Sequence, residues 1–186
     1  MNINQKDRVL IIDTETSGLN PMVHSLLSIG LTPLTRVDDL EIFVKEPNIE
    51  ADPRSMSIHG IDLDWLRENG KDPQQVCLQF ETYLSSFNEG PILLAGHNVG
   101  FDVAFMKRLY RVAERPWPTR LSHRVIDTHS LLWFSAQNGL IPVEACSSDG
   151  AFSYFTCEPP SHLRHSALGD AIATKHLLNQ LFKLYT

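Results

Sequence analysis

The sequence predicts an α/β sandwich built on a mixed sheet, and three features predict it. Val9-Leu10-Ile11-Ile12 is a continuous apolar run, the pattern of a strand buried on both faces. Two more strand-like segments, Leu26 to Leu34 and Leu40 to Val44, follow before any helical periodicity. From Asp72 onward, helical and strand-like patterns alternate. An early antiparallel meander joined to parallel β-α units satisfies that order.

Pro53 and Gly60 mark a loop after the third strand. Asp72-Pro73 then starts a helix, with Val76, Phe80, Tyr83, Leu84 and Phe87 at helical spacing. A fourth strand, Ile92 to Ala95, ends at Gly96 and leads into a helix with Phe105, Met106, Leu109 and Ala113 on one stripe. A short strand at Val125-Ile126 precedes a helix from about Asp127 to Gln137. The last helix runs from about Ser166 to Leu184, with Leu168, Ala171, Ile172, Leu178 and Phe182 along one side. Arg115 to Pro118 and Glu158 to Pro160 read as loops within one domain.

A chain of 186 residues, 42% hydrophobic and 20% charged, fits one globular domain spanning 1–186. Its longest apolar runs are four residues, against the ~20 that a membrane-spanning helix needs, so no membrane is expected. The N-terminal MNINQKDRVLIID lacks a secretory pattern, and Cys77, Cys146 and Cys157 neither pair evenly nor form C-x-x-C. A cytoplasmic, reducing compartment follows as the expectation. The net charge of −6 argues at face value against a nucleic-acid partner. Its distribution says otherwise: Lys107, Arg108, Arg111, Arg115, Arg120 and Arg124 face one acid, Glu114, a local balance of +5. Such a run is either a solvated face or a track for a phosphate backbone.

Acids fall where a core should be. Asp13 and Glu15 close the first strand, and a spacing of two puts both side chains on one face. They either cap a turn or share a cation, because adjacent carboxylates otherwise repel. Asp102 shares a helical stripe with Phe105, Met106 and Leu109, a costly position for an unpaired charge. It is an N-cap, an edge residue or a cation ligand. His97 and Asn98 directly precede that helix. Asp170 lies near the start of the last helix, where the dipole favours its ionised form. His165 lies in the turn before it, and histidine titrates near neutrality, as a base that activates water must. Four acids and a histidine from separate elements suit two hard divalent cations and in-line displacement at phosphorus.

The segments Ile12-Asp13-Thr14-Glu15-Thr16-Ser17-Gly18-Leu19, His97-Asn98-Val99-Gly100-Phe101-Asp102 and His165-Ser166-Ala167-Leu168-Gly169-Asp170 resemble the three exonuclease motifs of the DnaQ-like, DEDDh-type 3′-to-5′ exonucleases. Ser57-Ile58-His59-Gly60-Ile61 resembles the loop that family carries between its first two motifs. The resemblance implies a ribonuclease H-like three-layer sandwich, a five-stranded mixed sheet with helices on both faces. It implies that Asp13, Glu15 and Asp170 hold one Mg²⁺ or Mn²⁺, and that Asp13 bridges to a second. Asp102 would hold that second cation through water, and His165 would deprotonate the attacking water. It further implies that backbone around Thr14 and Thr16 meets the terminal nucleotide of DNA or RNA, that Leu19 wedges against its base, and that His59 and Asn98 support the substrate.

Other chemistries find less support. Gly90 to Gly96 lacks the Lys-Ser/Thr of a phosphate loop, no G-x-S-x-G occurs, and Cys157, His162 and His165 lack a fourth ligand for zinc. Two alternatives stay open. One is an enzyme specific for short RNA or small nucleotides. The other is an exonuclease-fold binding subunit. There, the segment Leu131 to Phe155, with Trp133, Phe134, Phe152, Tyr154 and Phe155, would dock on a polymerase, self-associate in a homodimer or simply belong to the core.

Overall fold

The computed structural model describes residues 5–185. The first four residues of the N-terminal stretch and Thr186 lie outside the described residues. Five strands form one sheet: β1 (Val9–Thr16), β2 (Leu26–Pro33), β3 (Leu40–Phe43), β4 (Ile92–Gly96) and β5 (Leu121–Asp127). Their order is β3-β2-β1-β4-β5, with β1, β2 and β3 antiparallel neighbours and β4 and β5 running parallel to β1. This is the mixed sheet expected from the sequence, an early meander followed by β-α units.

The alternation of side chains along β1 explains why helices cover both faces. Leu10 and Ile12 join a cluster with Val76 and Phe80 of α3 (Pro73–Leu84) and Phe105, Met106 and Leu109 of α4 (Gly100–Val112). Val9 and Ile11 instead pack with Ala171 and Leu178 of the last helix, α7 (Ala167–Leu184). A strand covered on both faces needs apolar residues at every position, and β1 meets that need up to Ile12. The same parity sends Asp13 and Glu15 toward the α7 face and Thr14 toward the α4 face. Outside α7 sit α5 (Thr128–Gln137) and α6 (Ser148–Tyr154), joined to it through Leu132, Phe152, Leu177 and Leu181.

The helices begin and end where short-range chemistry dictates. Asp72 accepts from the Gln75 N–H at 2.9 Å while the Gln75 side chain reaches back to the Asp72 N–H, a reciprocal cap for α3. The loop expected around Pro53 and Gly60 is instead a helix, α1 (Pro53–His59), followed by α2 (Leu63–Asn69). Asp52 caps α1, Pro53 occupies its first turn, and Gly60 closes it at φ 66°. Those three residues are helix punctuation. β5 begins at Leu121, four residues before the strand expected at Val125-Ile126. A bulge opposite Ile92-Leu94 breaks its apolar alternation. Among the described residues no helix is long and apolar enough to cross a membrane.

One close approach governs where α7 lies. Gly30 of β2 pairs with Asp13 of β1, and a Cβ at residue 30 would lie 2.1 Å from the Ala167 backbone. Only the missing side chain lets the start of α7 rest on β2. Gly30→Ala is therefore expected to destabilise the protein by about 1–3 kcal/mol, because backbone cannot yield as a side chain would. Gly100→Ala, where nothing lies within 4 Å, should be near neutral. Urea midpoints of the two variants against the parent check both.

Candidate active site

The carboxylates come together at the end of β1. Ligand-capable oxygens of Asp13, Glu15 and Asp170 all lie within 4.8 Å of one another. Asp13 and Glu15 arrive on the strand itself, which runs on through Thr16 rather than turning at Asp13. Asp170 arrives because α7, capped by the Ser166 hydroxyl on the Gly169 N–H at 3.1 Å, starts directly over Gly30. Asp102 comes from the opposite face. It sits in the first turn of α4, 4% exposed, and accepts from the Thr14 hydroxyl at 2.7 Å. Thr14 thus ties the fourth acid to the strand that carries the first two.

The price of this crowding is visible in the acid equilibria. Burial pushes Asp13 well above the ordinary carboxylate range, and the Asp102, Glu15 and Asp170 charges push it further. Burial, with Asp170 and Asp102 beside it, pushes Glu15 up to about 8. Asp102 rises to about 7, mainly through burial, with the Thr14 hydroxyl pulling the other way. Asp170 is raised too, by burial, against the opposing pull of Arg164. These are acids held where they resist ionising unless positive charge arrives.

Donor chemistry fits a divalent cation. The cluster offers oxygens alone, the preference of hard ions such as Mg²⁺ or Mn²⁺. Asp170 Oδ1 is buried and has no hydrogen-bond partner, an orphan that a cation would satisfy. Cys157, His162 and His165, already short of a fourth zinc ligand in sequence, do not assemble: among the described residues the acidic trio is the one group of three or more placed for a metal.

The histidines lie to one side of the acids. A cleft of about 250 Å³ is lined by Glu15, Glu41, His59, Trp65, His165 and Ser166, so both expected histidines share a cleft with Glu15. His59 reaches the Thr16 carbonyl at 3.3 Å, and burial lowers its pKa. His165 stands at φ 61°, a left-handed conformation uncommon for a residue with a side chain. Asn98 is similar at φ 59°, and its backbone N–H donates to Asp127 at 2.9 Å, away from that cleft. Leu19 is 74% exposed on the turn after β1, beside an equally open Met22 at 73%. The Thr16 hydroxyl donates to the Gly18 carbonyl at 2.9 Å and so shapes that turn.

The basic stretch is not one continuous track. Arg108 is paired with Glu46, which is almost wholly buried, and Arg115 lies 2.7 Å from Glu81. Arg120 donates to the carbonyls of Leu84 at the end of α3 and of Phe87, Asn88 and Gly90 beyond it. Lys107 lies over the Trp117 ring, whereas Arg111 reaches the turn after β1, 4.0 Å from Met22 Sδ. Of the six, Arg111 is the one that borders the Leu19 turn. The aromatic segment is divided as well: Phe152 is buried, while Trp133, Phe134 and Tyr154 are exposed.

Two contributors escaped the sequence reading. Gly30 stands inside an apolar run, where a lone glycine signals close backbone approach. Arg164, next to His165, ion-pairs with both Asp170 and Asp149.

Known proteins resemble this chain in sequence and in fold. Residues 10–178 match the RNase_T exonuclease family. The chain is 27% identical over 110 residues to the 3′-5′ DNA exonuclease Cap18 of Escherichia coli, covering 58% of the chain and 59% of that protein. It is 32% identical over 113 residues to the DNA polymerase III subunit epsilon of Pasteurella multocida, covering 56% of the chain and 42% of that protein. The chain thus spans about half the length of these relatives. In fold it is similar to the nuclease domain of 3′hExo, a DEDDh family member solved with rAMP. That likeness has a TM-score of 0.72 at 14% identity and covers 94% of the chain and 91% of that domain.

Raised folded-state values mean that ionising Glu15 and Asp102 works against folding. The stability they allow is present below their ordinary values of 4.5 and 3.8, and is lost as pH rises through about 8 for Glu15 and about 7 for Asp102. In EDTA, Asp13→Asn should therefore melt higher than the parent, by a margin that widens from pH 5 to pH 9. Mg²⁺ or Mn²⁺ should raise the parent's melting temperature and not the variant's. A variant that melts lower at every pH would make Asp13 a structural residue.

Proposed function

This chain belongs to the RNase_T exonuclease family, and from that premise we propose that it is a metal-dependent 3′-to-5′ exonuclease that releases 5′-mononucleotides from DNA or RNA. The observation that carries the proposal is the acid cluster of Asp13, Glu15 and Asp170, with Asp102 tied to it through Thr14. Names of the similar proteins support the same reading, since one is a 3′-5′ DNA exonuclease. We read residues 1–186 as one exonuclease domain.

Asp13, Glu15 and Asp170 would hold the first divalent cation, with Asp13 and Asp102 serving a second. Bound there, such cations supply positive charge that neutralises the phosphodiester and favours ionised water. The protein's own part is positional. His165 takes a proton from the attacking water, whose oxygen bonds to phosphorus in line with the departing 3′-oxygen. The phosphorus to 3′-oxygen bond breaks, and the leaving oxygen is protonated from solvent. His59 and the backbone of Thr14 and Thr16 steady the terminal nucleotide, with Asn98 supporting the strand. Leu19, open on its turn, wedges against the terminal base and favours a frayed or single-stranded end. Unstacking a paired base costs a few kcal/mol, so single strands react faster.

A second reading, docking on a polymerase, is favoured by the likeness to an epsilon subunit and by the exposed rings of Trp133, Phe134 and Tyr154. Size-exclusion mass measurement with and without a polymerase subunit separates it from a free enzyme or a homodimer.

Incubation of 5′-labelled DNA and RNA with Mg²⁺ or Mn²⁺, resolved at single-nucleotide steps, should show shortening from the 3′ end one nucleotide at a time. Efficient cutting of a circular single strand would overturn the reading. His165→Ala should slow the reaction by about 10²–10⁴-fold while calorimetry finds metal affinity unchanged. Leu19→Ala should slow cleavage and likewise spare metal binding.

A further inference from the structure

The segment that delivers His165 is anchored at its ends, where Cys157 donates its N–H to the Phe152 carbonyl at 2.9 Å and Leu163 lies against Gly169 of α7. It leaves α6 through Thr156 at φ 53° and enters α7 just after His165 at φ 61°. Left-handed backbone at a β-branched threonine is a genuine outlier, so both ends are conformations that surroundings must enforce. Between them lie Glu158-Pro159-Pro160 and one short turn, Ser161–Leu163, none of it paired to the sheet. A cleft of about 650 Å³, lined by Asp149, Phe152, Glu158, Pro159 and Arg164, opens beside His165.

Arg164 bridges it. One arm of its guanidinium pairs with Asp149 of α6 and the other with Asp170 of α7. The same group lies over the Phe152 ring, 5.4 Å from its centre. A planar fork can hold two carboxylates at once, whereas a lysine's single ammonium cannot keep that geometry. Arg164 is 21% exposed and Asp170 13%, so this pair is shielded from the screening that weakens surface pairs. Asp149 is 77% exposed, so replacing it opens no cavity. Its carboxyl is held below the ordinary range by the Arg164 hydrogen bond.

We propose that Arg164 is a positioning residue: it latches the segment carrying His165 onto α6 through Asp149 while it fixes one oxygen of Asp170. This inference rests on the exonuclease reading. Asp170 Oδ2 takes the guanidinium and Oδ1 stays unpartnered for a cation, so the latch and the metal do not compete for one atom. Arg164 also offsets one of the four crowded negative charges.

Asp149→Asn tests the latch without touching the acid cluster. In the full chain, kcat at saturating Mg²⁺ should fall about tenfold or more, because small misplacements of a reacting group are costly, while KM stays unchanged. Calorimetric Mg²⁺ affinity should stay within about twofold, since Asp170 keeps its arginine. Amide hydrogen exchange across 155–166 should quicken in Asp149→Asn, with and without Mg²⁺, and Asp149→Glu should restore both rate and protection. Parental kcat and exchange in Asp149→Asn would overturn the latch. So would loss of metal affinity in parallel with kcat, which would make the bridge a support of the acids alone. A parent that hydrolysed no 3′ end would sink the exonuclease reading, and the exchange measurement would still decide the latch.

Discussion

Four carboxylates held at one end of a sheet covered on both faces repel one another, and much of the structure follows from keeping them there. β1 brings two of them because it is apolar up to Ile12 and then, without leaving the ladder, becomes acidic at Asp13 and Glu15. A strand buried on both faces is rigid, so the two acids cannot swing apart to relieve their repulsion. The third acid needs α7 to touch β2 at Gly30, and the fourth needs the Thr14 hydroxyl. Each acid is therefore fixed by backbone or by a buried hydrogen bond, with little reliance on its own side-chain freedom. Such a site is preorganised for positive charge, and the cost is borne by the apolar clusters on either side.

Much of this was legible in the chain. The apolar run at Val9 to Ile12 and the stripe through Phe105, Met106 and Leu109 report burial, and acids on those patterns stand out as functional. Spacing alone places Asp13 and Glu15 together and sets Asp102 against the core. Other features depend on contacts between distant residues. Nothing local in Gly30 tells that Ala167 will lie against it, and Arg164 finds Asp149 only because α6 folds back on α7. The short helix α1 hid because seven residues carry too little periodicity, although Asp52, Pro53 and Gly60 spell its ends. β5 looks short in the sequence because its bulge interrupts the alternation.

Charge shows the same division between local and distant information. A count of cations from Lys107 to Arg124 suggests one basic face. In the fold these side chains scatter: Arg108 neutralises a buried glutamate, Arg115 and Arg120 tie the loop after α4 to α3 and its end, and Arg111 turns to the opening beside Leu19. Long cationic side chains join layers as readily as they meet phosphate, and their sequence does not say which. The acids differ because their burial leaves them fewer partners.

The outer strands of the sheet bear on how the protein behaves when it is concentrated. β3 is four residues long, and β5 is broken by its bulge, where Arg124 donates its N–H to Ser122 Oγ at 3.0 Å. Neither rim offers the long flat row of free amides on which a second chain could lengthen the sheet. Filaments grown edge to edge are thereby disfavoured, and the molecule can carry a strained, acid-rich end without that strain feeding self-assembly.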